Sequence, residues 1–167
     1  MHKNKVPIFR VRTSQLTDID AMVSLSKTKR KLYEKAQPQF WRYAGEEGDD
    51  AQRQWFQDLL EDKKYVMFTA ESKTKEILGF IIGKLIPAPE VYNPGGLTLM
   101  IDDFCVSCET LWQSVGAKLI EETKAAVTAK GATQIAVVCG AHDHPKRKFL
   151  SEQNLSIASE WFVGGIV

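Results

Sequence analysis

From residue 8 to residue 12 apolar and polar side chains alternate, the period of a half-buried strand. Thr17 followed by Asp20 offers a helix start, and Ile19, Met22 and Val23 then share one helical stripe. This helix is expected to run through the basic stretch 27–31 and to stop before Pro38, because a residue ahead of proline disfavours helical angles. Residues 45–50, Gly-Glu-Glu-Gly-Asp-Asp, read as a loop, and Trp55, Phe56, Leu59 and Leu60 mark a second helix behind it. The runs 65–71 and 77–86 are rich in β-forming residues and are joined by Ser-Lys-Thr-Lys, a hairpin signal. A loop with Pro87, Pro89, Asn93, Pro94 and Gly95-Gly96 leads into a long strand over 97–106.

Leu119, Ile120, Thr123 and Val127 recur at helical spacing, and this third helix ends near Lys130, where Gly131 can adopt the left-handed closing conformation. Residues 135–139 form a short apolar strand. Asp143 can cap a last helix that carries Pro145 in its first turn, with Phe149 and Leu150 facing inward. A final strand is expected over 157–163. The order is therefore β, α, α, β, β, β, α, β, α, β, without repeats or low-complexity tracts.

A length of 167 residues fits one domain over the whole chain, and a hydrophobic share of 44% is that of a globular protein. The 22 Lys plus Arg balance 21 Asp plus Glu, so no global field recruits nucleic acid or an anionic membrane. No apolar run approaches the length of a membrane span, and the first residues lack the apolar core of a secretory signal. The expected compartment is the cytoplasm. Cys105, Cys108 and Cys139 are an odd number in such a chain and read as reduced thiols.

The most informative stretch is Val106-Ser-Cys-Glu-Thr-Leu-Trp-Gln-Ser-Val-Gly116, where a strand ends and a helix begins. The first N–H groups of a helix lack intrahelical partners and carry the positive end of its dipole, which suits a pyrophosphate. Ser114 and Gly116 are small enough to let a ligand approach the main chain. The stretch resembles motif A of the GNAT superfamily of acyl-CoA N-acyltransferases, V-x-P-E-x-R-G-x-G-x-G/A. Val106, Glu109, Gln113 and Gly116 match; Cys108 replaces a common Pro, Leu111 the usual Arg and Ser114 a Gly. The element order agrees with that family along nearly the whole chain, and the likeness is specific from about Leu97 to Leu155.

The resemblance implies an α/β (α+β) fold with a mixed, mostly antiparallel sheet splayed between its fourth and fifth strands, and helices on both faces. It implies acetyl-CoA as the cofactor, held by Phe104, Cys105, Val106, Leu111, Trp112, Gln113, Ser114, Val115, Gly116, Ala117, Asp143, Lys146 and Phe149. The implied activity is transfer of the acetyl group to a primary amine of a small molecule or peptide by direct attack, and a homodimer stays open. Lys146, Arg147 and Lys148 would lie beside the adenosine end, as a 3′-phosphate contact or as a solvated helix start.

Such a transfer needs a base, because an amine with a pKa of about 10.4 is mostly protonated at neutral pH. Asp102 and Asp103 are acidic residues inside an apolar strand, and since neighbours on a strand point to opposite faces only one can look into the cleft. Comparison with polyamine-acetylating relatives favours Asp102. An oxyanion donor is implied in the main chain around Val106. The proton donor for the departing thiolate is a tyrosine in many relatives, and here Leu150 stands in its place, with Ser151 or His144 as substitutes.

Two other readings follow from the same residues. Cys105-x-x-Cys108 and Cys139-x-x-His142 have the ligand types of a zinc site. Leu111 and Leu150 suit a GNAT-fold module that binds acyl-CoA without turnover. For the acceptor, the acidic Glu46, Glu47, Asp49 and Asp50 suit a cationic amine or a solvated loop, and Trp41, Tyr43, Trp55 and Tyr92 suit a pocket lining or core.

Overall fold

A computed structural model describes residues 7–166. In chain order it contains β1 (Phe9–Thr13), α1 (Ile19–Ala36), α2 (Gly45–Glu61), β2 (Tyr65–Ser72), β3 (Ile77–Ile86), β4 (Leu97–Val106), α3 (Ala117–Thr128), β5 (Ala132–Val137) and α4 (His144–Glu152). A 3₁₀ turn at Glu109–Leu111 and a π turn at Trp112–Gly116 run directly into α3. The five strands form one sheet in the order β1-β2-β3-β4-β5. All neighbours are antiparallel except β4 and β5, which are parallel and joined through α3. This is a mixed α/β domain, as the sequence implies.

Alternation along the strands sorts side chains into two layers. Ile81, Leu99, Ile101 and Phe104 pack with Leu119, Ile120, Val127 and Phe149 of α3 and α4. Phe80, Ile82 and Cys105 pack on the other face with Ile19, Met22 and Val23 of α1 and Phe56 and Leu59 of α2. Each such side chain, taken fully out of water, contributes about 1.5–3 kcal/mol. One irregularity controls the pattern in β4: Gly83 pairs with Ile101 and Ile82 with Asp103, so Asp102 is an unpaired, bulged residue. Gly79 is held without a side chain because a Cβ there would lie 2.7 Å from the Cys105 carbonyl oxygen, where β3, β4 and α3 converge.

The structure corrects two element boundaries and removes one expected strand. Residues 45–50 are not a loop but the first turns of α2. Gly45, at φ +72°, turns the chain in, and Glu46 and Glu47 face the positive end of the helix dipole. Asp49 turns inward, where Lys27 (2.8 Å), Arg30 (2.6 Å) and the Tyr43 hydroxyl (2.7 Å) neutralise it. The strand expected at 135–139 lies at Ala132–Val137 instead, because pairing with β4 starts at Leu97↔Ala132 and ends at Ile101↔Val137. The strand expected over 157–163 does not form. After Asn154 (φ 62°) closes α4 in a left-handed conformation, with the Leu155 N–H bonded to the Leu150 carbonyl, the described residues that follow form neither helix nor strand. Trp161 meets Phe40 of the α1–α2 connection at 6.2 Å, and β-type sequence without a ladder partner is not a strand.

Candidate functional site

The β4–β5 ladder closes with the Val138 N–H donating to the Ile101 carbonyl at 2.9 Å; beyond it β4 continues to Val106 while the segment after β5 leaves toward α4. This divergence opens the sheet between its fourth and fifth strands. Alternation of the antiparallel ladder turns the main chain of Phe104 and Val106 toward the gap, away from β3.

Lys146 lies inside this gap and not beside a solvent-facing phosphate site. It is 1% exposed, and its ammonium donates to the Phe104 carbonyl at 3.1 Å and to the Val138 carbonyl at 3.0 Å. The same nitrogen stands 5.4 Å from the Phe104 ring centroid and 5.8 Å from that of Trp112. Burial, and then the charge of Lys29, push its pKa below the ordinary lysine value. Of the basic cluster seen in the sequence, Lys148 is exposed and Arg147 donates to the Ala141 carbonyl at 3.1 Å.

The bulge separates the two aspartates. Asp103 is buried among α1 and α2: Lys29 binds one carboxylate oxygen at 2.5 Å, and the Ser26 hydroxyl donates to the other at 2.9 Å. The Gln52 amide donates to the same oxygen at 3.4 Å, and the Cys105 thiol approaches at 3.5 Å. Burial pushes the Asp103 pKa up, but the Lys29 charge and these hydrogen bonds outweigh it and hold the carboxyl below its ordinary value. Lys29 responds in the complementary direction, raised by Asp103 against the effect of burial. Burial pushes the Cys105 thiol up to about 12, so it stays protonated. Asp102, at the bulge, is exposed and makes no hydrogen bond or ion pair among the described residues.

Sequence reading missed Ser26, Lys29, Tyr33 and Gln52. The signal was present, since Met22, Ser26, Lys29 and Tyr33 follow one another at helical spacing and place polar groups on the stripe that faces the sheet. Tyr33 is buried, and its hydroxyl accepts the Gly140 N–H at 3.0 Å and donates toward Asp143 at 3.4 Å. Burial raises its pKa above the ordinary tyrosine value. His142 packs edge-on to its ring at 4.4 Å, so α1 is tied to the segment that leaves the gap. Asp143 caps α4 as expected, accepting the Lys146 N–H at 3.3 Å.

The stretch after β4 is wound more tightly than an open phosphate loop. The Leu111 N–H bonds to the Cys108 carbonyl and the Trp112 N–H to that of Glu109, so among the described residues the amides that open the run without a main-chain acceptor belong to Glu109 and Thr110, and the Thr110 N–H turns to the Cys108 thiol. Ala117 lies within the helical run, its N–H bonded to the Trp112 and Ser114 carbonyls. Leu111, Trp112, Val115 and Gly116 are buried, while Gln113 is exposed and bonds to Glu152. Trp112 stacks on Phe149 at 5.2 Å, and a Cβ on Gly116 would meet its ring at 2.8 Å, so the glycine is demanded by the indole. Leu150, in place of a proton donor, is 8% exposed and part of the core.

The zinc reading is overturned. Among the described residues no group of three or more His, Cys, Asp and Glu is arranged to hold a metal ion. Cys105 is buried in the α1–α2 layer, Cys108 is exposed beside Thr110, and Cys139 and His142 lie on the segment leaving β5. Arg30, Tyr33, Phe40, Trp41, Arg42 and Tyr43 line a cavity of about 180 Å³, whereas Trp55 and Tyr92 lie elsewhere on the surface. Among the described residues no helix is long and apolar enough to cross a membrane.

No protein-family model matches the sequence, and no curated protein matches it. Solved structures do. A mutant of the BH1408 protein from Bacillus halodurans is similar at 13% identity and a TM-score of 0.82, over 95% of this chain and 99% of that one. A Clostridium acetobutylicum protein described as a predicted acetyltransferase, solved with acetyl-CoA, is similar at 16% identity and a TM-score of 0.69, over 95% and 96%. The glucosamine-6-phosphate N-acetyltransferase of Arabidopsis thaliana is similar at 15% identity and a TM-score of 0.67, over 96% and 99%. At these identities the likeness is one of fold alone, and the fold is the GNAT fold that the sequence resemblance implies.

Proposed function

We propose that this protein transfers an acetyl group from acetyl-CoA to a primary amine of a small molecule or peptide by direct attack, without nucleic acid or membrane. The observation that carries the reading is the divergence of β4 from β5 beyond the Val138–Ile101 bond. An extended pantetheine arm carries amide groups that pair with free strand main chain as another strand does. The residues present fit it: the Phe104 and Val106 main chain faces the gap, and the Phe104 and Val138 carbonyls take hydrogen bonds from the Lys146 side chain and not from a strand. When bound, the thioester supplies an activated acyl group.

The chain's own residues then have separable tasks. Val106 offers a main-chain N–H to developing negative charge. Asp102, exposed and unpaired among the described residues, takes the proton from the attacking ammonium, directly or through water. Asp103 is committed to Lys29 and serves as a positioning residue that fixes β4 against α1. The amides of Glu109 and Thr110, the latter shared with the Cys108 thiol, are the donors this run offers to the anionic end of the carrier.

A second reading, binding without turnover, is favoured by Leu111 and Leu150, both spent in the core. Calorimetric titration with CoA and acetyl-CoA, followed by thiol release over a panel of amines, separates the two. Binding with turnover is the expected result, with Asp102→Asn lowering kcat/KM by about 10²–10⁴-fold. Binding without turnover on any amine favours the second reading, and no heat at millimolar carrier removes both.

A further inference from the structure

Lys146 is a cation without a counter-ion. Among the described residues its ammonium has no carboxylate within ion-pair distance, its two hydrogen bonds go to neutral carbonyls, and it is 1% exposed. An ammonium has three donors, so one N–H is unspent. Taking an unpaired charge out of water costs several kcal/mol, more than two neutral carbonyls and two ring faces return. The position is also specific, since the two accepting carbonyls belong to β4 and to the segment leaving β5, which part at the gap.

We propose that Lys146 is a catalytic residue, whose unspent N–H and positive charge receive the negative charge that forms on the sulfur of the leaving carrier. The inference rests on the acetyl-CoA reading and supplies the group that Leu150 cannot. As the amine nitrogen forms its bond to the acyl carbon, the carbon–sulfur bond breaks and its electron pair stays on sulfur. Lys146 stabilises that thiolate by a charge-assisted hydrogen bond and can hand it a proton, while the proton of the acceptor nitrogen leaves by way of Asp102. Free CoA has an ordinary thiol, with a pKa of about 8.5, and Lys146 gives it a better leaving group.

The charged and titratable groups around the gap leave this task to Lys146. From α1 come Lys29, already bound to Asp103, and Tyr33, whose hydroxyl serves Gly140 and Asp143. From β4 comes the protonated Cys105 thiol, and from the segment after β5 come Cys139, whose thiol burial pushes up, and Asp143, which caps α4. The lowered pKa of Lys146 makes it a readier acid than a solvated lysine.

The test follows the carrier's thiol, not turnover. Wild-type protein saturated with CoA is titrated between pH 6 and 10 while thiolate absorbance near 240 nm is read, with desulfo-CoA as the blank. The expected result is a bound thiol at least tenfold more acidic than the free one, with CoA binding at least tenfold tighter than desulfo-CoA above pH 8.5. Lys146→Met should abolish both differences. An unshifted thiol on tightly bound CoA overturns the role of Lys146 and leaves the acetyl-CoA reading standing. Absence of CoA binding to the wild type overturns that reading, and this inference with it. Because the wild-type titration decides by itself, an unfolded variant does not rescue the proposal.

Discussion

Lys29 and Asp103 are 74 positions apart in the chain, and each would be an uncompensated buried charge without the other. Their shifts agree in direction, both favouring the charged forms, so the pair is an ion pair at neutral pH. Asp103→Asn should lower unfolding free energy by about 3 kcal/mol, at the modest end because the Lys29 side chain is 21% exposed and can reach water. The sign of the pH effect follows from the depressed folded pKa of Asp103. Its contribution is full above the unfolded value of about 3.9 and is lost as pH falls through the folded value. Urea denaturation at pH 7 and pH 3 should therefore find the wild type and Asp103→Asn converging on acidification. Glu71, drawn down to about 2 by hydrogen bonds from Arg12 and Arg10, adds acid sensitivity in the same direction.

At the scale of elements, α4 shows what local sequence encodes and what it does not. Asp143 and Pro145 announce its first turn, and the structure has both where the pattern puts them. Removing the cap by Asp143→Ala should cost about 1 kcal/mol, read as a fall of about 2–4 °C in Tm, since the Lys146 N–H loses its acceptor. The inward turn of the Lys146 side chain was not legible, because a lysine among Arg147 and Lys148 has the composition of a solvated face. Only the divergence of two strands, a long-range event, supplies the carbonyls that hold it. The start of α2 was hidden for a related reason. Gly-Glu-Glu-Gly-Asp-Asp has loop composition, and what makes it helical is Asp49 meeting Lys27 and Arg30 of another helix. The hairpin of β2 and β3 and the strand β4 rest on local turn chemistry and alternation, so their pattern was sufficient.

At the scale of the molecule, one sheet divides an α1–α2 layer from an α3–α4 layer; Leu155 still packs on the second, and the segment beyond it belongs to neither. Ile157, Trp161 and Phe162 are 66%, 80% and 93% exposed, so they return little hydrophobic free energy to the fold. Truncation after Ser156 should change unfolding free energy by less than about 0.5 kcal/mol, checked by thermal and urea unfolding of both lengths. A strand docked on β5 would lose far more. The bulge in β4 acts across the whole body. Upstream of Asp102 the odd-numbered Leu99 and Ile101 serve the α3–α4 layer, and downstream the even-numbered Phe104 and Val106 do so. One surplus residue thus works as a parity switch. Were it excised, the ion-paired carboxylate and the buried thiol would be delivered into the greasy half of the domain, while a phenyl ring would be thrust among the polar groups of α1.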